Sequence, residues 1–306
     1  MKKDWREIIA IGNYHYTAYS FDYFLESVSS LGVKNIEIWG AKPHLCVNSI
    51  RLNDVEAFRE KIDKKGLRVI CFCPEQNTYP LDIAARDDDF RDYSIEQMKK
   101  AIRITHMLGS DRMLLCPGNG SLDESFEEIK SRFRNSVMEL TETAQSYGVI
   151  LCLETQAQED SLFMNTVEQQ KEAVREIDSD YFKAMIDTVQ TAQFDSSVRH
   201  SIEVLGIENL KHIHLGNTIV REKTFYEKCA PQKEWDSRMR VMGRNVCGHI
   251  GFREGNLSLG KNITDLFNMG YEGYVTIEIC QRPYFFEAHR YAKEALEYTI
   301  DVIKSM

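Results

Sequence analysis

Short apolar segments recur along the whole chain, and between them lie longer segments whose apolar residues repeat at helical spacing. Short apolar runs that are separated by helical patterns are typical of buried parallel strands. Eight strand patterns alternate with helical patterns, and no stretch of linker-like composition divides them. The sequence therefore predicts an α/β fold, a (β/α)8 TIM barrel, that forms one domain over residues 1–306. A doubly wound sheet is the alternative arrangement of the same elements.

The predicted elements follow one another in a regular order. The strands are 8–13, 33–39, 67–73, 112–116, 149–154, 182–187, 209–214 and 274–279. The helices cover about 21–31, 53–66, 92–108, 122–147, 166–177, 195–205, 259–269 and 285–304. Residues 216–258 break this order with mixed polar and aromatic content. Because segments this long inside compact domains are usually functional, we expect it to cover the barrel mouth and to contact substrate or a partner.

Four of the predicted strands end in a side chain that commonly binds metal ions. These side chains are Glu154, Asp187, His214 and Glu278. In a (β/α)8 barrel the carboxyl ends of all strands open onto one face, so residues far apart in sequence meet there. Three carboxylates and one imidazole are suitable ligands for Mn²⁺, Mg²⁺, Co²⁺ or Zn²⁺. The sequence therefore predicts a divalent metal site at this face.

Further candidates lie close to the predicted strand ends. His15 follows the first strand, Trp39 ends the second, and His249 lies between two glycines in the irregular segment. The Trp39 ring can stack on a sugar, and packing in the core is the alternative role. Arg282 can bind a hydroxyl or phosphate group, or pair with a nearby acid. All four are candidate substrate-binding residues.

His212 lies two residues before His214 in the seventh predicted strand. We expect its side chain to point away from the barrel axis and to have a packed or surface role. It is therefore not counted among the predicted ligands.

Composition limits the partners and the location. The net charge of −9 opposes binding to a phosphate backbone, so we expect no nucleic-acid partner. No run approaches about 18 consecutive apolar residues, and the N-terminus lacks the apolar centre of a signal peptide, so we expect no membrane partner. Five of the eight cysteines lie in or at the ends of predicted strands, which indicates small buried side chains in a reducing, cytoplasmic environment.

Four stretches together carry a family resemblance. They are Leu-Glu-Thr at 153–155, Ile-Asp-Thr at 186–188, His-Ile-His-Leu-Gly-Asn at 212–217, and the segment 252–279 with Gly-Tyr-Glu-Gly-Tyr-Val-Thr-Ile-Glu at its end. Their order and their places on the predicted elements resemble the sugar phosphate isomerase/epimerase superfamily. This superfamily comprises the xylose isomerase-like barrels, among them ketose 3-epimerases, hydroxypyruvate isomerase and inosose dehydratase.

The resemblance implies roles for particular residues. The metal ligands of the family fall on Glu154, Asp187, His214 and Glu278. In the epimerases the two glutamates also act as acid and base, which implies the same roles for Glu154 and Glu278. The implied cofactor is one divalent ion, with Mn²⁺ as first choice and Mg²⁺, Co²⁺ or Zn²⁺ as alternatives.

Two positions depart from the pattern of the epimerases. A substrate-binding histidine usually lies three residues after the metal-binding aspartate, and here that residue is Gln190. An arginine usually lies six residues after the metal-binding histidine, and here Val220 occupies that position with Arg221 beside it. We include Gln190 and Arg221 among the candidate substrate-binding residues. The departures leave the substrate open.

The expected reaction explains why these residue types are needed. Epimerisation or isomerisation beside a carbonyl removes a proton from a carbon of very low acidity. A divalent cation stabilises the resulting enediolate, and a pair of carboxylates removes and returns the proton. The predicted activity is a divalent-metal-dependent sugar isomerase or epimerase whose partner is a small sugar or sugar derivative. Self-association as a homo-oligomer is left open.

Three other functions are alternatives to this activity. A lyase on the same scaffold, similar to inosose dehydratase or able to cleave a C-glycosidic bond, would share the enolate step. An endonuclease IV-like AP endonuclease would need more histidines, and the acidic charge balance opposes it. A catalytically inactive barrel could serve as a subunit or binding module, and it need not retain metal.

Overall fold

The chain forms a closed barrel of eight strands in a computed structural model that describes residues 4–158, 160–194, 196–220 and 248–306. The strands are β1 Ile9–Gly12, β2 Asn35–Gly40, β3 Arg68–Pro74, β4 Arg112–Leu115, β5 Ile150–Leu153, β6 Phe182–Asp187, β7 Leu210–Leu215 and β8 Val275–Ile277. Each strand pairs in parallel with the next, and β8 pairs with β1. The prediction of a (β/α)8 barrel is therefore confirmed, and the doubly wound alternative is wrong because an open sheet would leave two unpaired edges.

Helices follow the strands and surround the barrel. They are α1 Phe21–Ser30, α2 Leu52–Lys64, α3 Asp88–Met107, α4 Phe126–Tyr147, α5 Val167–Ile177, α6 Thr188–Gln193, α7 Val198–Leu205, α8 Leu259–Asn268 and α9 Ala288–Ser305. Short 3₁₀ helices lie at Trp5–Glu7, Tyr14–Tyr16, Ile207–Asn209 and Arg282–Glu287. None of the helices in the described ranges has the length and apolar character needed to cross a membrane.

Capping explains where the helix boundaries differ from the sequence prediction. The helix predicted from residue 122 begins at Phe126, because Ser125 and Glu128 form a capping box that fixes the first turn. The helix predicted from residue 285 is a 3₁₀ helix up to Glu287 and becomes α-helical at Ala288. Helix α6 was not predicted, since it is only 6 residues long and Asp187 caps it directly at the end of β6.

Two apolar layers hold the barrel. The larger layer packs the outer faces of the strands against the helices, and it includes Ile9, Phe72 and Ile213. The smaller layer fills the barrel interior and includes Ala10, Met185 and four cysteines, namely Cys71, Cys73, Cys116 and Cys152. These cysteines are free and buried, as expected for small apolar side chains.

The two described ends of the irregular segment are bound to each other near the barrel mouth. Asn217 and Ile250 form an antiparallel bridge, and the Asn217 side chain donates to the carbonyl of Phe252 at 2.6 Å. The Asn256 side chain bonds both backbone groups of Val220 at 2.7 and 3.1 Å. Residues 221–247 lie outside the described residues, so the expectation that this segment covers the mouth stays a prediction.

Candidate active site

The four predicted ligands meet at the carboxyl ends of β5 to β8. Nδ1 of His214 lies 2.8 Å from Oε2 of Glu278. The same nitrogen lies 3.9 Å from Oε1 of Glu154 and 3.9 Å from Oδ2 of Asp187. One ligand atom each of Glu154, Asp187 and His214 fits within 4.8 Å of the others. Residues separated by up to about 120 positions in sequence therefore converge on one centre.

Asp187 is fixed by the helix that follows it. It ends β6 and is the N-cap of α6, where its Oδ1 accepts the backbone N–H groups of Val189 at 2.6 Å and Gln190 at 2.7 Å. An N-cap carboxylate has little rotational freedom, because it satisfies two N–H groups of the first turn at once. The other oxygen, Oδ2, is thereby directed toward the centre.

The two glutamates are likewise held by one carboxylate oxygen each. Oε2 of Glu154 accepts a hydrogen bond from the side chain of Gln156 at 2.6 Å, which leaves Oε1 toward His214. Oε1 of Glu278 accepts from the thiol of Cys280 at 3.0 Å, which leaves Oε2 toward His214. Each carboxylate therefore has one oxygen held by the protein and one presented to the centre.

Glu37 holds the imidazole in the same way, and the sequence analysis missed it. Glu37 lies in β2, is fully buried, and its Oε1 is 2.8 Å from Nε2 of His214. The same oxygen accepts the hydroxyl of Tyr14 at 2.9 Å. The available clue was a charged residue between Ile36 and Ile38 in an otherwise apolar strand, because a buried carboxylate needs donors.

The expected orientation of His212 is wrong. Its side chain is fully buried inside the barrel, where Nε2 lies 2.7 Å from Oε2 of Glu37. The physical reason is the period of two along a strand, which places His212 and His214 on the same face of β7. A surface role is therefore excluded, whereas the expectation of a packed residue holds.

His249 joins the centre from the irregular segment. Its Nε2 lies 2.9 Å from Oδ2 of Asp187 and 3.4 Å from Oε2 of Glu278. Its carbonyl accepts the N–H groups of Cys280 and Gln281 at 3.1 and 3.3 Å, which ties the segment to the chain after β8. The structure thus brings this predicted substrate-binding residue to the metal-ligand candidates.

Burial and charge shift the pKa values of the clustered groups in opposite directions. Burial raises the pKa of Glu154 to about 8, with the charges of Asp187 and Glu278 adding to the shift. Burial also acts to raise the pKa of Glu278, but the charges of His249 and His214 outweigh it and lower this pKa to about 2. For His249, burial lowers the pKa, whereas the charges of Glu278 and Asp187 raise it to about 9.

The donor set fits a divalent cation. Nδ1 of His214 faces all three carboxylates, and no lysine or arginine is placed beside them among the described ion pairs. Atoms that could bind one ion lie close together in two adjoining groups, one of Glu154, Asp187 and His214, the other of Glu278 with His249 and Cys280. Buried carboxylates are stable only when they are paired or bound to a metal. Oxygen and nitrogen donors of this kind match Mn²⁺, Mg²⁺, Co²⁺ and Zn²⁺. Glu154, Asp187, His214 and Glu278 would hold such an ion.

Trp39 lies at the mouth beside the centre. It is in β2, and its indole N–H donates to Oε2 of Glu75 at 2.8 Å. Its ring stacks on Tyr14 with the centroids 5.5 Å apart, and Tyr14 is 6.0 Å from the ring of His214. A partly buried indole in this position is suited to contact a sugar ring.

In the described ranges, no hydrogen bond or ion pair joins the side chains of His15, Gln190 or Arg282 to the four candidate ligands. His15 is fully buried and packs on Tyr16 with the ring centroids 4.6 Å apart. The side chain of Gln190 accepts a hydrogen bond from Gln193 at 2.7 Å along α6. Arg282 begins a 3₁₀ helix and is exposed. Arg221 lies outside the described residues, so its predicted role stays a prediction.

Known proteins resemble the chain over nearly its whole length. The family model described as xylose isomerase-like TIM barrel matches residues 25–302. Fructoselysine 3-epimerase of Shigella flexneri is 24% identical over 276 residues, which are 90% of this chain and 91% of that protein.

Two solved structures show the same fold. One is the IolI protein with a binding zinc atom, with a TM-score of 0.75, 18% identity, and coverage of 97% of this chain and 98% of that chain. The other is D-psicose 3-epimerase with D-tagatose from Clostridium cellulolyticum H10, with a TM-score of 0.73, 16% identity, and coverage of 97% and 99%. The chain is therefore similar to sugar epimerases and to a barrel that binds zinc.

Proposed function

The chain belongs to the family of xylose isomerase-like TIM barrels, and we propose that it is a divalent-metal-dependent epimerase or isomerase of a sugar or sugar derivative. The observation that carries this proposal is the convergence of Glu154, Asp187, His214 and Glu278 on one centre. Its similarity to fructoselysine 3-epimerase supports the choice of a ketose-type substrate.

The proposed mechanism divides the work between the cation and the protein. A divalent ion held by the four ligands would stabilise negative charge on adjacent substrate oxygens, a contribution of several kcal/mol. Glu154 and Glu278 lie at the ends of β5 and β8 and act as the acid–base pair. One removes the proton from the carbon beside the carbonyl, and the other returns a proton to the planar enediolate.

Other side chains position the substrate in this proposal. His249 lies beside Asp187 and Glu278, where its Nε2 can hydrogen-bond a substrate hydroxyl. Trp39 and Tyr14 form an aromatic wall next to the centre, on which the apolar face of a sugar can pack. Gln156 and Cys280 each bond one oxygen of an acid–base glutamate and leave its other oxygen directed toward the centre.

Hydrogen exchange with solvent tests the reaction class. The purified protein with added Mn²⁺ is incubated in D₂O with D-psicose, D-tagatose, D-fructose or fructoselysine, and the products are followed by NMR. We expect deuterium at the carbon beside the carbonyl of at least one substrate, together with its epimer or isomer. Loss of water or of a substituent instead would indicate a lyase. Absence of exchange with all four sugars would contradict the proposal for ketoses of this class.

A further inference from the structure

A hydrogen-bonded network inside the barrel lies directly beneath the candidate metal centre. Glu37 is at its middle and is fully buried. Its Oε2 lies 2.7 Å from Nε2 of His212, and its Oε1 lies 2.8 Å from Nε2 of His214 and 2.9 Å from the hydroxyl of Tyr14. Three donors from β7 and the segment after β1 thus share one carboxylate of β2.

The chemistry of this carboxylate fixes the protons of its neighbours. An ionised carboxylate accepts hydrogen bonds and cannot donate them. Both histidines must therefore carry a hydrogen on Nε2. The hydroxyl of Tyr14 must likewise donate its hydrogen to Glu37. For His214 this leaves Nδ1 as the nitrogen that faces Glu154, Asp187 and Glu278.

We propose that Glu37 is a positioning residue that holds Nε2 of His214 as a hydrogen-bond donor and thereby presents Nδ1 to the metal ion. The inference rests on the metal site of the proposed function. Histidines that bind metals commonly donate their second nitrogen to a carboxylate, which fixes the tautomer and the orientation of the ring. Glu37 is separated from His214 by 177 positions in sequence, so the pairing depends on barrel closure.

A second metal site at Glu37, His212 and His214 is the competing explanation, since these three residues also form a group with metal-ligand atoms close together. Their distances of 2.7 and 2.8 Å are those of charge-assisted hydrogen bonds. Both oxygens of Glu37 already accept from these donors, and Oε1 also accepts the hydroxyl of Tyr14 at 2.9 Å, so neither oxygen is left to face an ion. The hydrogen-bond network therefore accounts for the geometry.

The same carboxylate also orders the aromatic wall. The Tyr14 ring, whose hydroxyl bonds Glu37, stacks on Trp39 and meets the ring of His214 edge-on at 6.0 Å. Loss of the acceptor would remove the hydrogen bond that Glu37 makes to the imidazole and the one that it makes to the phenol. Glu37 thus contacts both the candidate ligand His214 and the aromatic wall of Tyr14 and Trp39.

The test compares two neutral replacements of Glu37 by their affinity for Zn²⁺ alone, measured by competition with a chromogenic chelator. Glu37→Met has similar volume but no strong acceptor, and we expect it to bind Zn²⁺ about 10- to 100-fold more weakly than the wild type. Glu37→Gln keeps one carbonyl oxygen for Nε2 of His214, and its amide can face His212 in the other tautomer. We expect its affinity to lie within about threefold of the wild type, since the acceptor is retained.

Glu37→Met and Glu37→Gln both remove the same negative charge, but only Glu37→Gln keeps an acceptor for His214. A difference in their Zn²⁺ affinity therefore reports the positioning role and not the loss of charge. Equal weakening of Zn²⁺ binding in both variants would overturn the positioning role, and so would wild-type affinity in Glu37→Met.

If Glu37→Met fails to fold, ¹⁵N NMR of the histidine rings in the Zn²⁺-bound wild type tests the inference instead. We expect a proton on Nε2 of His214 and zinc on Nδ1, and the reverse assignment overturns the inference. A wild type that binds no Zn²⁺ overturns the metal site of the proposed function itself.

Discussion

At the scale of single residues, the centre is built from side chains that each have one polar atom fixed by the protein. Asp187 is fixed by backbone N–H groups, Glu154 by Gln156, Glu278 by Cys280, and His214 by Glu37. Fixing one atom removes rotational freedom before a ligand arrives. Preorganisation of this kind lowers the entropic cost of binding and keeps the reacting groups in register.

The two glutamates can be tested by a change that preserves size. Glu154→Gln and Glu278→Gln should each retain the fold and much of the metal, because the amide keeps an oxygen that can face the ion. Turnover should fall by at least roughly 10², since an amide cannot accept the proton from carbon. Steady-state kinetics and metal content by mass spectrometry measure the two effects separately. Normal turnover in both variants would contradict the proposed acid–base pair.

Asp187 allows its two roles to be separated. Asp187→Asn keeps an oxygen for the N–H groups of α6 but removes the charge, so it should bind the divalent ion more weakly with little loss of stability. Asp187→Ala should lose the ion and also about 1 kcal/mol of stability, because the N-cap is removed. Metal content and thermal unfolding measure these outcomes.

A matched control is Asp265→Asn, a change in a nearly buried carboxylate of α8 that pairs with Arg199 at 2.7 Å. This variant should keep its metal, because the side chain belongs to the outer ring of helices. Full metal occupancy in Asp187→Ala would show that Asp187 is not a ligand.

At the scale of elements, the short described part of the irregular segment delivers His249 to the centre. The segment is held at Asn217 by a β-bridge and at Cys280 and Gln281 by backbone hydrogen bonds. The imidazole of His249 also packs closely over the backbone of Gly216. A Cβ on Gly216 would lie 2.5 Å from Cδ2 of His249 and 2.9 Å from Cγ2 of Val189. The absence of a side chain at Gly216 is thus what allows the ring to reach Asp187.

Gly216→Ala should therefore displace His249 without altering any candidate ligand. We expect kcat/KM to fall by about tenfold or more, as in His249→Ala, because a shift of about 1 Å in a positioning group is costly. Gly260→Ala in α8 is the control, since its Cβ would meet only Tyr298 Oη at 3.2 Å and Val302 at 3.6 Å.

The double variant Gly216→Ala/His249→Ala makes the comparison sharper. If the glycine acts through the histidine, the double variant should be no less active than His249→Ala alone. Additive losses would indicate that Gly216→Ala disturbs β7 or α6 instead of His249.

At the scale of the whole molecule, the barrel has its own apolar core, so we expect it to fold without a bound ion. The outer layer of apolar residues runs through all eight strands and most helices, whereas the site occupies only the carboxyl ends of β5 to β8. A bound ion should therefore add to stability by mass action without changing the fold.

Metal removal tests this independence. With free ion at 100 times Kd, binding stabilises by about 2.7 kcal/mol. At about 2.1 cal/mol/K of unfolding entropy per residue, a chain of 306 residues should lose about 4 °C in Tm when EDTA is added. The far-UV circular dichroism at 25 °C should stay unchanged. The same addition should leave the Tm of Asp187→Ala unaffected, and an equal shift in that variant would place the stabilising ion elsewhere.

The sequence by itself determined the barrel and the convergence of four candidate ligands. Strand and helix periods are local properties, and the rule that parallel strand ends share one face needs no knowledge of the packing. Glu154, Asp187, His214 and Glu278 could therefore be assigned from strand ends and from family resemblance. The orientation of His212 was also available from the period of two along a strand, and the sequence interpretation applied that period wrongly.

Only the tertiary structure decided which interior side chains meet. Glu37 contacts His212 and His214 across 175 and 177 positions in sequence, through strands that are not neighbours in the barrel. Such contacts depend on strand stagger and on closure of the sheet, which no local pattern specifies. His249 reaches Asp187 for a related reason, since hydrogen bonds from Asn217 and Cys280 place its segment. Strand periodicity therefore predicted the candidate ligands, whereas closure of the barrel decided which side chains contact them.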